Sequence, residues 1–128
     1  MKIDTPNLND NSDNESRILE LEKSNVHIIA EILAYVPHAV VSKTIIRKTT
    51  GNISVCSFGA GEELEEKISP FDKYIQIIDG IAEVGVNDKN YKLKFGEGII
   101  IPAHTRHRFN ANEQFKMIST VIKSGYED

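Results

Sequence analysis

Residues 96–107 read GEGIIIPAHTRH, a run of β-branched residues between a glycine-rich turn and a proline. Isoleucine is enriched in strands, and Pro102 ends such a strand because proline has no N–H to donate to a neighbour. His107 follows, at the start of another run that reads as a strand. The stretch therefore predicts a turn, a short strand, a corner and a second short strand.

The same alternation of strand runs and turn residues continues along the chain from residue 39. Turns are predicted at 49–52, at the dipeptide Asp79-Gly80, which is interpreted as the end of one strand, and at 87–90. The predicted strands cover 40–46, 53–58, 74–78, 81–86, 91–95, 99–101, 106–109 and 115–122. About eight short strands with no clear helix after residue 37 predict an all-β, antiparallel sandwich or barrel.

The first 38 residues differ in character from the rest of the chain. Residues 1–14 are almost all polar and are predicted to be a disordered tail. Ser12 and Glu15 fit a capping box, and the apolar residues that follow predict a short amphipathic helix over roughly 13–23. We therefore expect a tail over 1–14, an N-terminal helix and lead-in segment over 15–38, and a β-barrel domain over 39–124.

Size and composition restrict the possible functions. The chain has 128 residues, which suits one domain, and a net charge of −4, which argues against nucleic acid or an anionic membrane as a partner. Its single cysteine, Cys56, excludes an internal disulfide and is interpreted as a small buried residue. No run approaches about 20 apolar residues and the N-terminus does not read as a signal peptide, so we expect a cytoplasmic protein.

A second segment, residues 61–80, reads GEELEEKISPFDKYIQIIDG. Together with 96–107, it resembles the two conserved motifs of the cupin superfamily. The framework positions that match are Gly61, Gly80, Gly96, Pro102 and His107. The resemblance covers residues 39–122 and implies a small RmlC-like jelly-roll barrel, often paired as a homodimer through edge strands.

The metal-ligand positions of that family are mostly replaced. Where the first motif carries two histidines and a glutamate, this chain has Lys67, Ser69 and Lys73, and only His107 remains of the four ligands. One histidine cannot hold a divalent metal, and two ammonium groups repel a cation. His104 should point to the opposite face from His107. We therefore predict no metal and no other cofactor.

The resemblance implies that four residues converge on the mouth of the barrel: Lys67, Ser69, Lys73 and His107. Such a pocket would be cationic with a hydroxyl donor, and it would suit a small organic anion such as a carboxylate, an enolate or a phosphate. His107 is either an acid–base residue in the pocket or a structural residue in the barrel wall.

The lysines also have a simpler interpretation, in which they extend into solvent or pair with neighbouring carboxylates. The available carboxylates form an acidic run that is interpreted as a solvated loop: Glu62, Glu63, Glu65 and Glu66.

Three functions are compatible with this sequence. The first is a non-catalytic, metal-free module that binds a small, anionic organic ligand. The alternative is a metal-independent isomerase, epimerase or decarboxylase acting on a sugar or keto acid, with His107 as the proton carrier. The third, a metal-dependent dioxygenase, is opposed by the replaced ligands. We predict the binding module.

Overall fold

The computed structural model of the protein describes residues 20–126. The predicted tail over 1–14 and most of the predicted N-terminal helix lie outside these residues. Residues 20–23, the end of that helix, form a bend and a turn, and the helical structure within 20–126 is a single 3₁₀ turn, Ile29–Glu31. The helix prediction is therefore wrong for residues 20–23, because the N–H of Leu21 donates to the carbonyl of Ile45 instead of joining a helix.

Eight strands, all paired antiparallel, make up most of the described chain. They are β1 (Val40–Lys48), β2 (Gly51–Phe58), β3 (Glu63–Glu66), β4 (Asp72–Val86), β5 (Lys89–Lys94), β6 (Gly98–Ile101), β7 (His107–Asn110) and β8 (Phe115–Ile122). The strand order is β1-β2-β8-β4-β7-β3, and β5 and β6 also pair with β4. The all-β, antiparallel, cupin-like jelly roll predicted from the sequence is confirmed.

Strand β4, with 15 residues, joins the two strands predicted over 74–78 and 81–86, because Asp79-Gly80 does not form a hairpin turn. Its first half pairs with β8 and β6, and its second half pairs with β5 and β7. The register shifts between Ile77 and Asp79, and Gly80 adopts a φ of 79°. The dipeptide is thus a bulge that bends one strand from one sheet into the other, since each half finds a different partner.

The core lies between the two curled layers and is centred on three aromatic rings. Phe58 stacks on Phe115 with ring centroids 4.4 Å apart, and it contacts Phe109 at 5.8 Å. Ile75, Ile77 and Ile101 belong to the same core and are buried.

The inner faces of three strands continue beyond this apolar core with polar residues. Side chains alternate between the faces of a strand, so residues two apart share a face. Phe109 belongs to the core and Leu64 packs against it. His107 and Glu66 lie two positions from these residues on the same strands, so they share the inner face. On β4, Lys73 likewise shares the face of Ile75.

The lead-in segment packs on the outer face of the sheet. Lys116 is buried there, with its ammonium 2.6 Å from the carbonyl oxygen of Ala30 and 4.7 Å from the ring centre of Tyr35. The hydroxyl of Tyr35 donates to Asp79. Burial is the main cause that raises the pKa of Tyr35, and this hydrogen bond raises it further. Within 20–126, no helix has the length and hydropathy needed to cross a bilayer.

Candidate functional site

Three charged or titratable side chains meet on the inner face next to the apolar core. Glu66 ends β3, His107 begins β7 directly opposite it, and Lys73 is the second residue of β4. The Lys73 ammonium donates to Oε1 of Glu66, and Nε2 of His107 lies 2.6 Å from the same oxygen. Nζ of Lys73 is 3.5 Å from Nε2 of His107. We call these three residues the ion-pair triad.

The ring of His107 is held in one orientation. Its Nδ1 lies 3.1 Å from the carbonyl oxygen of Thr105, and its Nε2 faces the carboxylate of Glu66. Phe109 packs edge-on against the ring, with centroids 5.8 Å apart and planes at 82°. Both ring nitrogens therefore face oxygen atoms within the protein.

Glu66 is the ionised partner of the triad. Burial by itself raises the pKa of Glu66, but the hydrogen bonds from His107 and Lys73 and their charges outweigh burial and lower the pKa to about 2. Its side chain is 28% exposed, against 14% for Lys73 and 2% for His107. The carboxylate is therefore the most accessible member, and its charge balances that of the Lys73 ammonium.

Cys56 packs against the core close to the triad, as a small filling residue. Burial raises the pKa of its thiol to about 11; the charge of Glu66 adds to this increase, and that of Lys73 opposes it. A thiol in this environment stays protonated and is a poor nucleophile.

The structure brings together two of the four residues predicted for the pocket, Lys73 and His107. Lys67 is exposed, just after β3. Ser69 is half-buried, and its hydroxyl accepts a hydrogen bond from the N–H of Phe71, while its carbonyl accepts one from the N–H of His104. Ser69 thus stabilises the corner between β3 and β4.

The simpler interpretation of the lysines agrees with the structure, because Lys67 is exposed and Lys73 pairs with Glu66. The sequence interpretation missed that Glu66 lies on the inner face and contacts His107. The acidic run was interpreted as a solvated loop, but residues 63–66 form β3, so that interpretation is wrong for them. Along β3, Glu63 and Glu65 are exposed, whereas Leu64 and Glu66 are half-buried. The signal was Leu64, since an apolar residue two positions before Glu66 marks its face as the inner one.

The triad does not fit a divalent metal ion. Within residues 20–126 there is no cluster of three or more histidine, cysteine or acidic side chains that could hold one. Glu66 and His107 are suitable ligand types, but the ammonium of Lys73 lies against both and repels a second cation. His104 does not complete the set, because it is exposed in a turn with a φ of 62°.

A cavity of about 360 Å³ lies elsewhere, between the lead-in segment and the residues that follow β2 and precede β8. Tyr35 and Pro37 of the lead-in segment line it together with Gly59 and Gln114. Neither Glu66 nor His107 borders it, and no Lys, Arg, Asp or Glu side chain lines it, so we place the candidate site at the triad.

Comparison with known proteins agrees with this fold. Residues 54–121 match the family described as the cupin domain, and the chain belongs to that family. It is 31% identical over 72 residues to protein SchB of Streptomyces halstedii, covering 56% of this chain and 52% of the relative. It is 26% identical over 73 residues to polyketide synthase CurC of Streptomyces cyaneus, covering 55% and 47%. The chain thus spans about half the length of these curated relatives.

Solved structures are similar over a larger share of the chain. A conserved protein of unknown function from Streptococcus pyogenes is 27% identical with a TM-score of 0.76, covering 84% of this chain and 94% of that one. A cupin superfamily protein from Desulfitobacterium hafniense is 24% identical with a TM-score of 0.75, covering 84% and 99%, and supports the fold alone.

Proposed function

We propose that this chain is a metal-free cupin module that binds a small organic ligand at the ion-pair triad, with Lys73 and His107 as the groups that contact it. The observation that carries the proposal is the Lys73 ammonium, which lies on the inner face between an imidazole and a carboxylate. An ammonium group has three N–H donors, and one of them is used by Glu66. Further donors are available for an oxygen of a ligand.

The charge of the triad restricts the ligand. The charges of Lys73 and Glu66 cancel, so the triad carries at most one positive charge, that of His107. A carboxylate or an enolate oxygen matches that charge. A doubly charged phosphate does so less well, because surplus charge in a partly buried site is costly.

The relatives support a ligand that is rich in oxygen. One of them is named as a polyketide synthase, and polyketides carry keto groups that form enols and enolates. A keto or enolate oxygen is an acceptor for an ammonium N–H. The same class of ligand is therefore proposed for this chain.

The geometry favours binding over catalysis. Both ring nitrogens of His107 are engaged within the protein, and a carboxylate with a pKa of about 2 is a weak base. A metal-independent isomerase or decarboxylase, with His107 as the proton carrier, therefore ranks second. The homodimer and the cytoplasmic location stay predictions.

The test compares two lysine substitutions. Wild type, Lys73→Met and Lys67→Met are titrated with acetate, benzoate and acetoacetate, and binding is followed by amide chemical shifts. We expect Lys73→Met to lose at least about tenfold in affinity, since a charge-assisted hydrogen bond is removed. Lys67→Met, an exposed control, should stay within about twofold. Unchanged binding by a folded Lys73→Met protein, or no binding by the wild type, would show the proposal to be wrong.

A further inference from the structure

One oxygen of Glu66 contacts both Lys73 and His107. Oε1 accepts from the Lys73 ammonium and lies 2.6 Å from Nε2 of His107. A carboxylate on a bound ligand could make the same two contacts with the same charge. Glu66 therefore holds the position that the charged group of such a ligand would take.

The strand that carries Glu66 is the least supported one in its sheet. β3 has four residues, lies at the end of the strand order and is paired with β7. Glu66 is its last residue, and the chain then continues into the loop 67–71. Short edge strands open locally at a small free-energy cost, so Glu66 can move outward.

Lys73 and His107 are held more firmly than Glu66. Lys73 lies on β4 between Val121 of β8 and Ile101 of β6. His107 lies on β7, between β3 and β4, and its Nδ1 is engaged by the carbonyl of Thr105. An exchange of partners at the triad would therefore move the carboxylate and leave the cations in place.

Charge and surroundings narrow the ligand class further. Replacing Glu66 by one ligand carboxylate leaves the charge of the site unchanged, whereas a dianion adds a buried negative charge. Apolar side chains lie next to both residues: Ile101 and Val121 are the strand partners of Lys73, and Phe109 packs on His107. A ligand with a single carboxylate and an apolar body fits both conditions.

We propose that Glu66 is a built-in competitor of the ligand, displaced from Lys73 and His107 by the carboxylate of an apolar monocarboxylate. This inference rests on the proposed function of the same site. Glu66 then sets the affinity of the site and its selectivity for singly charged acids.

The experiment uses the full chain and its Glu66→Gln and Glu65→Gln variants. Each is titrated with benzoate, hexanoate and inorganic phosphate by calorimetry. Glu66→Gln should bind benzoate and hexanoate at least about tenfold more tightly than the wild type, because the competing charge is gone. Glu65→Gln removes an equal charge from an exposed position of the same strand and should stay within about twofold. Wild type should bind phosphate more weakly than benzoate.

The outcomes separate this inference from the function on which it rests. Carboxylate binding by the wild type that is unchanged or weakened in Glu66→Gln would overturn the competitor role and leave the binding function standing. Absence of carboxylate binding in both proteins would overturn both. Binding by Glu66→Gln alone would overturn both, because Glu66 would then block the site in the wild type and no ligand carboxylate would displace it.

A second measurement works on the wild type even if Glu66→Gln fails to fold. Saturating benzoate should shift the side-chain carboxyl carbon resonance of Glu66 and leave that of Glu65 in place. Bound benzoate with an unmoved Glu66 resonance would contradict the displacement.

Discussion

Protonation of Glu66 should remove a measurable part of the stability of this fold. The hydrogen bonds and charges of Lys73 and His107 lower its pKa from the usual 4.5 to about 2. A difference of about 2.5 pKa units corresponds to about 3 kcal/mol of unfolding free energy. The side chain stays 28% exposed, so solvent screening reduces this to roughly 1–2 kcal/mol.

The direction of the pH dependence follows from the lowered pKa. Because the folded state holds the carboxylate below its unfolded-state pKa, the stabilisation is fully present above about pH 5. It is lost as the pH falls from about 4.5 towards 2. In Glu66→Gln, which keeps an acceptor but has no charge, this contribution is absent at every pH.

The assay is urea denaturation of wild type, Glu66→Gln and Glu65→Gln at several pH values between 7 and 2.5. Glu66→Gln should be less stable than the wild type by roughly 1–2 kcal/mol at pH 7, and the difference should shrink to within about 0.5 kcal/mol at pH 2.5. The exposed control should stay within about 0.5 kcal/mol at pH 7. A difference between wild type and Glu66→Gln that is the same at pH 7 and pH 2.5 would refute the ionised triad.

Three further predictions concern the bulge, the core and metal. Gly80→Ala should cost at least about 3 kcal/mol of unfolding free energy by urea denaturation, since its Cβ would lie 2.2 Å from the carbonyl oxygen of Gln114. The control Gly96→Ala, at a φ of 85° but with open space around the Cβ, should cost about 1 kcal/mol. Equal losses in the two variants would contradict the bulge. Phe115→Ala should cost about 3–5 kcal/mol in the same assay, because Phe115 is buried in the stack on Phe58, and a loss below about 1 kcal/mol would contradict that packing. EDTA should leave the Tm of the protein within about 1 °C of its value without EDTA, and elemental analysis should find less than about a tenth of an equivalent of transition metal. A large drop in Tm with EDTA would show that the protein holds a metal.

Much of the fold could be predicted because strands and turns have characteristic local sequence patterns. β8 covers the predicted residues 115–122, and β2 differs from its prediction only at the start. The predictions are wrong where pairing with a strand distant in sequence overrides the local sequence preference. Asp79-Gly80 has turn chemistry, yet β8, β5 and β7 pair with the two halves of β4 and turn the dipeptide into a bulge. Residues 20–23 were likewise predicted to end a helix, but the N–H of Leu21 donates to the carbonyl of Ile45 on β1.

For the same reason, only part of the candidate site could be predicted from the sequence. The spacing of glycines, Pro102 and His107 was sufficient to predict the family. The replaced ligand residues led to the prediction of a site without metal, which stays a prediction. The contact of Glu66 with His107 depends on the register of β3 against β7, two strands separated by 40 residues. Register is set by the pairing of the whole sheet and by which face is buried, and a one-residue slip would turn Glu66 into solvent. Sequence could therefore supply the residue types, whereas strand pairing selected which carboxylate meets Lys73.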